Sequence, residues 1–259
     1  MKYIIKKILT FFGLTLVKTK YFNPISSNVN LENNVLESKN ELIHNGFNLL
    51  KKYGFDPKHI IDVGANHGTW TREVLKTFPD SNYTLIEPQK WLSESFADLL
   101  EKRNIEFLPL GVGKEKGEFL FTLVDRDDSC NFKMTEAEAL LGGFKQIPIA
   151  VKTINEIVKE SRFGMPDLLK IDAEGLDIEV LEGANEVLTN LEVVLLEASV
   201  GNPTFENNVL KVVTYMNGIG FKLFDITDLN RPFSNKVLWL VELMFVKKNG
   251  KFSSIDWEN

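Results

Sequence analysis

Two glycines and a set of carboxylates at strand ends carry the chemistry this sequence could do. Ile60-Ile61-Asp62-Val63-Gly64-Ala65-Asn66-His67-Gly68-Thr69 reads as a buried strand, an acidic residue, a glycine turn and a helix start. Gly64 and Gly68 let the backbone turn sharply and approach a ligand with no Cβ in the way. The helix that follows opens with unpaired backbone N–H groups. Those donors alone would suit a phosphate. Asp62 is expected to point into the same crevice, where it disfavours an anion and favours an organic cation. Glu87 lies 25 residues later, one strand–helix–strand step on, at the end of the next strand. A carboxylate there can accept two hydrogen bonds from a ribose diol. Pro88 stops that strand and fixes the turn.

A third run, Asp167-Leu168-Leu169-Lys170-Ile171-Asp172-Ala173-Glu174-Gly175, ends a further strand on Asp172 and Glu174. Ligands of open α/β sheets bind at those carboxyl ends. If both residues were extended, their spacing would put them on one face. Glu174-Gly175 reads equally well as the acidic first turn of a helix. Glu197, which ends Val193-Val194-Leu195-Leu196, adds a carboxylate to the same rim. Oxygen-only ligation by Asp172 with Glu174 or Glu197 would suit magnesium; isolated carboxylates at a sheet rim are common without metal, and none is predicted. His67 is of the residue type that most often moves protons in enzymes, with a backbone-facing or solvated role competing against chemistry. Cys130 is the single cysteine, which rules out an internal disulfide and a cysteine-rich zinc site.

These residues need a frame. Strand-like runs at His59–Val63, Tyr83–Ile86, Ile105–Leu108, Leu168–Ile171 and Val193–Glu197 alternate with helical ones at Thr69–Thr77, Trp91–Lys102, Thr153–Glu160, Leu176–Leu188 and Phe205–Ile219. Glu118–Val124 and Ile147–Lys152 also read as strands. The alternation predicts an α/β, doubly wound, mostly parallel sheet of seven strands, covered on both faces. Phe221–Asp225 and Val237–Val246 have no helix between them and are expected to close the edge as an antiparallel pair.

The chain has 259 residues, enough for one sizeable α/β domain. Its formal charge is −6, which argues against a dedicated nucleic-acid binder. Met1–Lys20 holds five lysines and no acid, so the remainder stands at −11. Its apolar stretch is shorter than the roughly 20 residues a bilayer span needs. Ile4, Ile5, Ile8, Leu9, Phe11 and Phe12 would line one side of a basic amphipathic helix. That suits peripheral membrane contact or a partner protein, and equally a helix covering an edge of the domain. Tyr21–Asn40 reads as a polar linker, with a helix capped by Asn40 running to Tyr53. The division is therefore 1–40, a basic segment and linker, and 41–259, the domain. Few cysteines favour a reducing, cytoplasmic compartment.

The glycine loop alone leaves two cofactor readings close together. A nicotinamide dinucleotide fingerprint wants glycine where Asn66 stands; an acidic crevice suits the methionine ammonium of S-adenosylmethionine. Ile61–Gly68, Glu87-Pro88, Thr153-Ile154-Asn155-Glu156-Ile157, Lys170–Gly175 and Glu179-Val180-Leu181-Glu182-Gly183-Ala184 together resemble the FkbM-type methyltransferase family. The likeness runs from about Asp56 to Lys248, with aspartate common in the family at Asn155 and near Glu242. It implies a Rossmann-like class I methyltransferase sheet, S-adenosylmethionine as donor, and O-methylation of a hydroxyl on a sugar, polysaccharide or macrolide. By position, Asp62, Gly64, Ala65, Asn66 and Gly68 would surround the methionine and ribose, and Glu87 with Pro88 the ribose diol. Leu110 and Gly111 would lie near the adenine, and Asp172 would face the sulfonium. A sugar hydroxyl is a poor nucleophile, so a base is expected: Asp172 first, then Glu174 and His67. Asp125–Phe132 is a lid over the acceptor or a solvated loop. A non-catalytic cofactor-binding scaffold and an NAD-dependent dehydrogenase are the alternatives; the oligomeric state is not legible.

Overall fold

The computed structural model describes residues 31–201 and 207–255. Met1–Lys20, the start of the linker and the first residues of the Phe205–Ile219 helix fall outside them. The chain divides into two compact units, Met1–Glu37 and Ser38–Asn259. The large sheet is built from β1 (His59–Val63), β2 (Asn82–Ile86), β3 (Ile105–Leu108), β7 (Leu168–Ile171), β8 (Val193–Ser199), β9 (Phe221–Asn230) and β10 (Leu240–Lys247). Their spatial order is β3-β2-β1-β7-β8-β10-β9. The first five run parallel, and β10 slots between β8 and β9, antiparallel to both. The edge is therefore β9, and the closing strand is internal.

A second sheet takes β4 (Gly111–Val112), β6 (Lys145–Lys152) and β5 (Gly117–Leu123), in the order β4-β6-β5. The runs at Glu118–Val124 and Ile147–Lys152 are thus strands, as predicted, but of this smaller sheet. The helices are α1 (Leu31–Lys52), α2 (Thr69–Thr77), α3 (Ala97–Leu100), α4 (Glu136–Gly142), α5 (Ile154–Glu160), α6 (Asp177–Glu182) and α7 (Val209–Gly218). Three of these correct the sequence reading: in the run read as a helix over Trp91–Lys102, Lys90–Phe96 is a 3₁₀ segment and only α3 is α-helical. The α1 helix begins at Leu31, because Glu32, Leu36, Glu37 and Lys39 are strong helix formers that outweigh the neighbouring asparagines. The Leu176–Leu188 helix stops at Glu182, and a separate 3₁₀ turn follows at Val187–Thr189.

Every residue of β1 is buried, as a strand covered on both faces requires. Side chains alternate, so Ile60 joins one core and Ile61 the other. On the first face Ile43, Phe47 and Leu50 of α1 pack with Val74 of α2 and with Phe96 and Leu99. On the second, Ile154 and Ile157 of α5, Val180 and Leu181 of α6 and Val212 and Met216 of α7 pack on Leu169 and Leu196. Capping boxes start α4 at Thr135/Glu138 and α5 at Thr153/Glu156. Asn155 accepts hydrogen bonds from the backbone N–H groups of Glu186 and Val187, which makes it a tie between α5 and the 3₁₀ turn. No helix among the described residues is long and apolar enough to cross a membrane.

Candidate active site

All parallel strands deliver their carboxyl ends to one rim, and two adjoining cavities open there. The smaller is lined by Glu87, Pro88, Leu110, Gly111, Phe121 and Phe132 among others. The larger is lined by Ala65, His67, Trp70, Glu197, Phe233 and Trp239 among others. Gly64, Asn66, Asp128, Asn131, Asp172 and Glu174 line both and form the wall between them.

The glycine turn is fixed from beneath. Gly64 has φ +72°, and a Cβ on it would sit 2.0 Å from the carbonyl oxygen of Asp172. Its N–H and that of Ala65 donate to the Ile86 carbonyl, binding the loop to β2. Gly68, at φ +70°, caps α2 against Phe96 and Leu99 and reaches neither cavity. A Gly64→Ala variant must adopt a left-handed backbone and displace the β7 terminus. It is expected to lose at least about 3 kcal/mol of stability. A thermal melt should show this as a fall of about 6–12 °C.

Asp62 does not enter the crevice, contrary to the sequence reading. It is fully buried. One oxygen accepts from the Thr71 hydroxyl at 2.6 Å, and the other pairs with the Lys170 ammonium at 3.2 Å. The Lys170 ammonium also donates to the carbonyls of Val63 and Gly64, at 3.3 and 3.1 Å, and lies 3.4 Å from Asp172. Burial opposes its charge, yet Asp62, Asp172 and Glu242 outweigh that and hold it well above the usual lysine range. A lysine inside the four-residue buried strand Leu-Leu-Lys-Ile was the available signal: a buried charge demands a partner. The partner was 108 residues away and carried no local mark.

Glu87 sits where the sequence placed it. Its oxygens accept backbone N–H groups from Asn66 at 3.0 Å and Gln89 at 2.9 Å. A carboxylate offers about four acceptor positions, more than these two backbone donors use, and Glu87 lines the smaller cavity. Burial raises its pKa, and the two backbone donors pull against that rise. Beyond it, Phe132 packs on Gly111, where a Cβ would meet its ring at 2.6 Å, and Phe121 lies 4.7 Å from Phe132 between ring centroids. Together with Leu110 these rings give this end of the smaller cavity an apolar wall.

The stretch Asp125–Phe132 supplies Asp127, Asp128, Cys130, Asn131 and Phe132 to the wall of the smaller cavity. Gln89 donates to the Asp127 carbonyl at 2.8 Å, and His67 Nε2 lies 2.8 Å from an Asp127 carboxylate oxygen. His67 Nδ1 meets the Ser95 hydroxyl at 2.9 Å. Both ring nitrogens are engaged in pinning this stretch at the rim. Burial pushes the Cys130 thiol up, which leaves it a weak nucleophile.

Asp172 and Glu174 do not share a strand face, because β7 ends at Ile171 and Glu174 adopts φ +50° before Gly175 at +92°. That left-handed turn swings Glu174 into the wall between the cavities. Asp177 holds the turn, accepting from the Ala173 N–H at 3.4 Å and from the Asn207 amide at 2.7 Å. Burial, with Asp172 and Asp177 close by, raises the Glu174 pKa to about 8. Among the described residues Glu174 accepts no hydrogen bond. No three of His, Cys, Asp and Glu among those residues converge as a metal-ligand set.

Behind this wall Glu242 on β10 lies directly across from Glu197 on β8. It accepts from Thr227 and, at 3.4 Å, from the Trp70 indole. Burial raises its pKa from 4.5 to about 7. The folded state therefore holds this proton more tightly than the unfolded chain. Its contribution to stability is fully present below pH 4.5 and is lost as pH rises through 7. Allowing for partial solvent access, Glu242→Gln should stabilise the protein by about 1–2 kcal/mol at pH 8 and by almost nothing at pH 4.5. Urea titrations of both proteins at the two pH values measure the difference.

The family model for the methyltransferase FkbM domain matches residues 62–223, more than half of the chain. "Methyltransferase 1" of Beauveria bassiana (strain ARSEF 2860) is 23% identical over 168 residues, covering 56% of this chain and 68% of that protein. Two solved structures are among those similar to this chain. Methyltransferase FkbM from Methylobacillus flagellatus KT has 15% identity and a TM-score of 0.48, over 73% of this chain and 44% of that one. This chain thus spans less than half the length of that protein. The 1,6-didemethyltoxoflavin-N1-methyltransferase of Burkholderia thailandensis, solved with S-adenosylhomocysteine, has 11% identity and a TM-score of 0.41, over 95% and 89%. The matched segment takes in the glycine turn, Glu87, the Lys170–Gly175 run and the whole wall between the two cavities, and the chain belongs to the FkbM methyltransferase family.

Proposed function

We propose that the protein uses S-adenosylmethionine to methylate a hydroxyl of a sugar, polysaccharide or related natural product. The observation that carries this reading is the pair of cavities meeting at one wall of Gly64, Asn66, Asp172 and Glu174. Methyl transfer needs such a layout, with donor and acceptor in separate pockets and their reacting atoms side by side. The smaller cavity suits a nucleoside: the Glu87 carboxylate in its lining matches a ribose diol, and the apolar wall of Leu110, Phe121 and Phe132 matches an adenine. S-adenosylmethionine, when bound, supplies a methyl group already activated on a positive sulfur.

The residues of the chain do the rest. Carboxylates near the shared wall favour a cation over a phosphate, which sets the site apart from a dinucleotide pocket. Glu174 takes the acceptor hydroxyl proton, since its raised pKa makes it the stronger base and Asp172 is already engaged by Lys170. His67 keeps to the rim, holding the Asp127 segment. The aromatic and acidic lining of the larger cavity suits a polyhydroxylated ring.

Calorimetry with S-adenosylmethionine and with NAD, followed by methyl-transfer assays on glycans, tests the reading. Saturable binding of the first alone, with turnover on a glycan, is the expected result. Saturable NAD binding would make the chain a dehydrogenase, and donor binding without turnover on any glycan would make it a scaffold.

A further inference from the structure

Glu197 is the least explained charge in the larger cavity. It ends β8, is largely enclosed by protein, lines the cavity and accepts no hydrogen bond among the described residues. The cations around it are committed elsewhere. Lys170 serves Asp62, Asp172 and the glycine-loop carbonyls. Arg126 pairs with Asp128 at 2.7 Å, and Lys133 donates to the Gly175 carbonyl at 3.2 Å. Glu242, across the strand pair, is a second carboxylate rather than a counter-ion. Burial, with Asp172, Glu174 and Asp177 nearby, raises the pKa of Glu197 well above the ordinary value. Lys170 acts on it only from a distance, so an enclosed carboxylate lining the cavity with no hydrogen-bond donor is matched by a cation that arrives with a ligand.

The same cavity offers a platform for the body of that ligand. Phe233 and Trp239 come from the connection between β9 and β10 and pack edge to face, with centroids 5.1 Å apart. Phe233 is 47% exposed, which leaves ring surface for the apolar side of a pyranose. We propose that Glu197 selects the acceptor. Its carboxylate takes the ammonium of an amino sugar whose ring lies against Phe233 and Trp239, presenting a hydroxyl to the Asp172–Glu174 wall. The proposal rests on reading the larger cavity as the acceptor site. It adds a charge preference: amino sugar over neutral sugar, and neutral sugar over uronate, which the unpaired carboxylates repel.

The test measures binding, so it needs no turnover. With the protein saturated by S-adenosylhomocysteine, dissociation constants are measured by NMR for methyl glucosaminide, methyl glucoside and methyl glucuronide. The glucosaminide is expected to bind about tenfold more tightly than the glucoside, the size of one charge-assisted hydrogen bond, with the glucuronide weakest. Glu197→Gln should bring the first two within about twofold while leaving the S-adenosylhomocysteine affinity unchanged. Equal binding of the three probes, or no saturable binding of the glucosaminide, overturns the proposal. So does a variant that weakens S-adenosylhomocysteine and keeps the sugar order, since the carboxylate would then serve the donor. The wild-type comparison stands even if the variant fails to fold. Failure of the wild type to bind S-adenosylhomocysteine at all would instead sink the reading of the smaller cavity.

Discussion

Replacing Glu87 by alanine is expected to weaken S-adenosylmethionine binding about 100-fold, the loss of two hydrogen bonds to a charged acceptor. The side chain has a double task. Its oxygens hold the backbone N–H groups of Asn66 and Gln89, which set the glycine turn and the start of the next segment. The same carboxylate lines the smaller cavity. Alanine therefore removes the ligand contacts and strands two backbone donors. Glu87→Gln separates these effects, since the amide can accept from only one of the two N–H groups. Calorimetry should place its affinity between wild type and alanine, with kcat at saturating donor within about threefold of wild type. An alanine variant that binds the donor within about threefold of wild type would remove Glu87 from the donor site.

The second large effect is on the chemical step. Glu174→Gln keeps the shape of the side chain and its left-handed turn but removes the proton acceptor. A fall in kcat of about 10²–10³ is expected, with KM for the acceptor nearly unchanged. The pH profile is the sharper readout. A base works when deprotonated, and burial has lifted this one to about 8. Wild-type activity should therefore rise with pH and level off near 8. A positive sulfonium beside the carboxylate favours its charged form, so the limb measured with donor bound should fall somewhat below that value. The glutamine variant should show no such limb. If the rising limb survives in Glu174→Gln and disappears in Asp172→Asn, the base is Asp172.

Local pattern was enough for much of this architecture. Buried strands such as Ile60–Val63 and Leu168–Ile171 announce themselves as short apolar runs, and Glu87 stood at the required step beyond the glycine turn. What the sequence concealed was partnership. Asp62 looked like a ligand contact because its strand position is right; only the fold brings Lys170 beside it. The strands Gly117–Leu123 and Lys145–Lys152 have the periodicity of strands, but nothing local says that they pair with each other and with Gly111–Val112. The last two strands do form the antiparallel pair at the edge that their lack of a helix predicts, but which of them lies inside, between β8 and β9, depends on pairings far along the chain. Trp70, Phe233 and Trp239 gave no signal at all, since isolated aromatics are usually core and these meet only across the larger cavity.

The origin of that cavity's far side has an evolutionary consequence. Asp228, Asn230, Pro232, Phe233, Trp239 and Leu240 all come from one short stretch, the end of β9, the connection after it and the first residue of β10. The smaller cavity takes no residue from it, and the family match ends before it begins. One contiguous cassette can thus change its sequence while the smaller cavity stays under separate constraint. Relatives are expected to diverge most in this cassette, and exchanging it between them should move substrate preference without disturbing the rest of the enzyme.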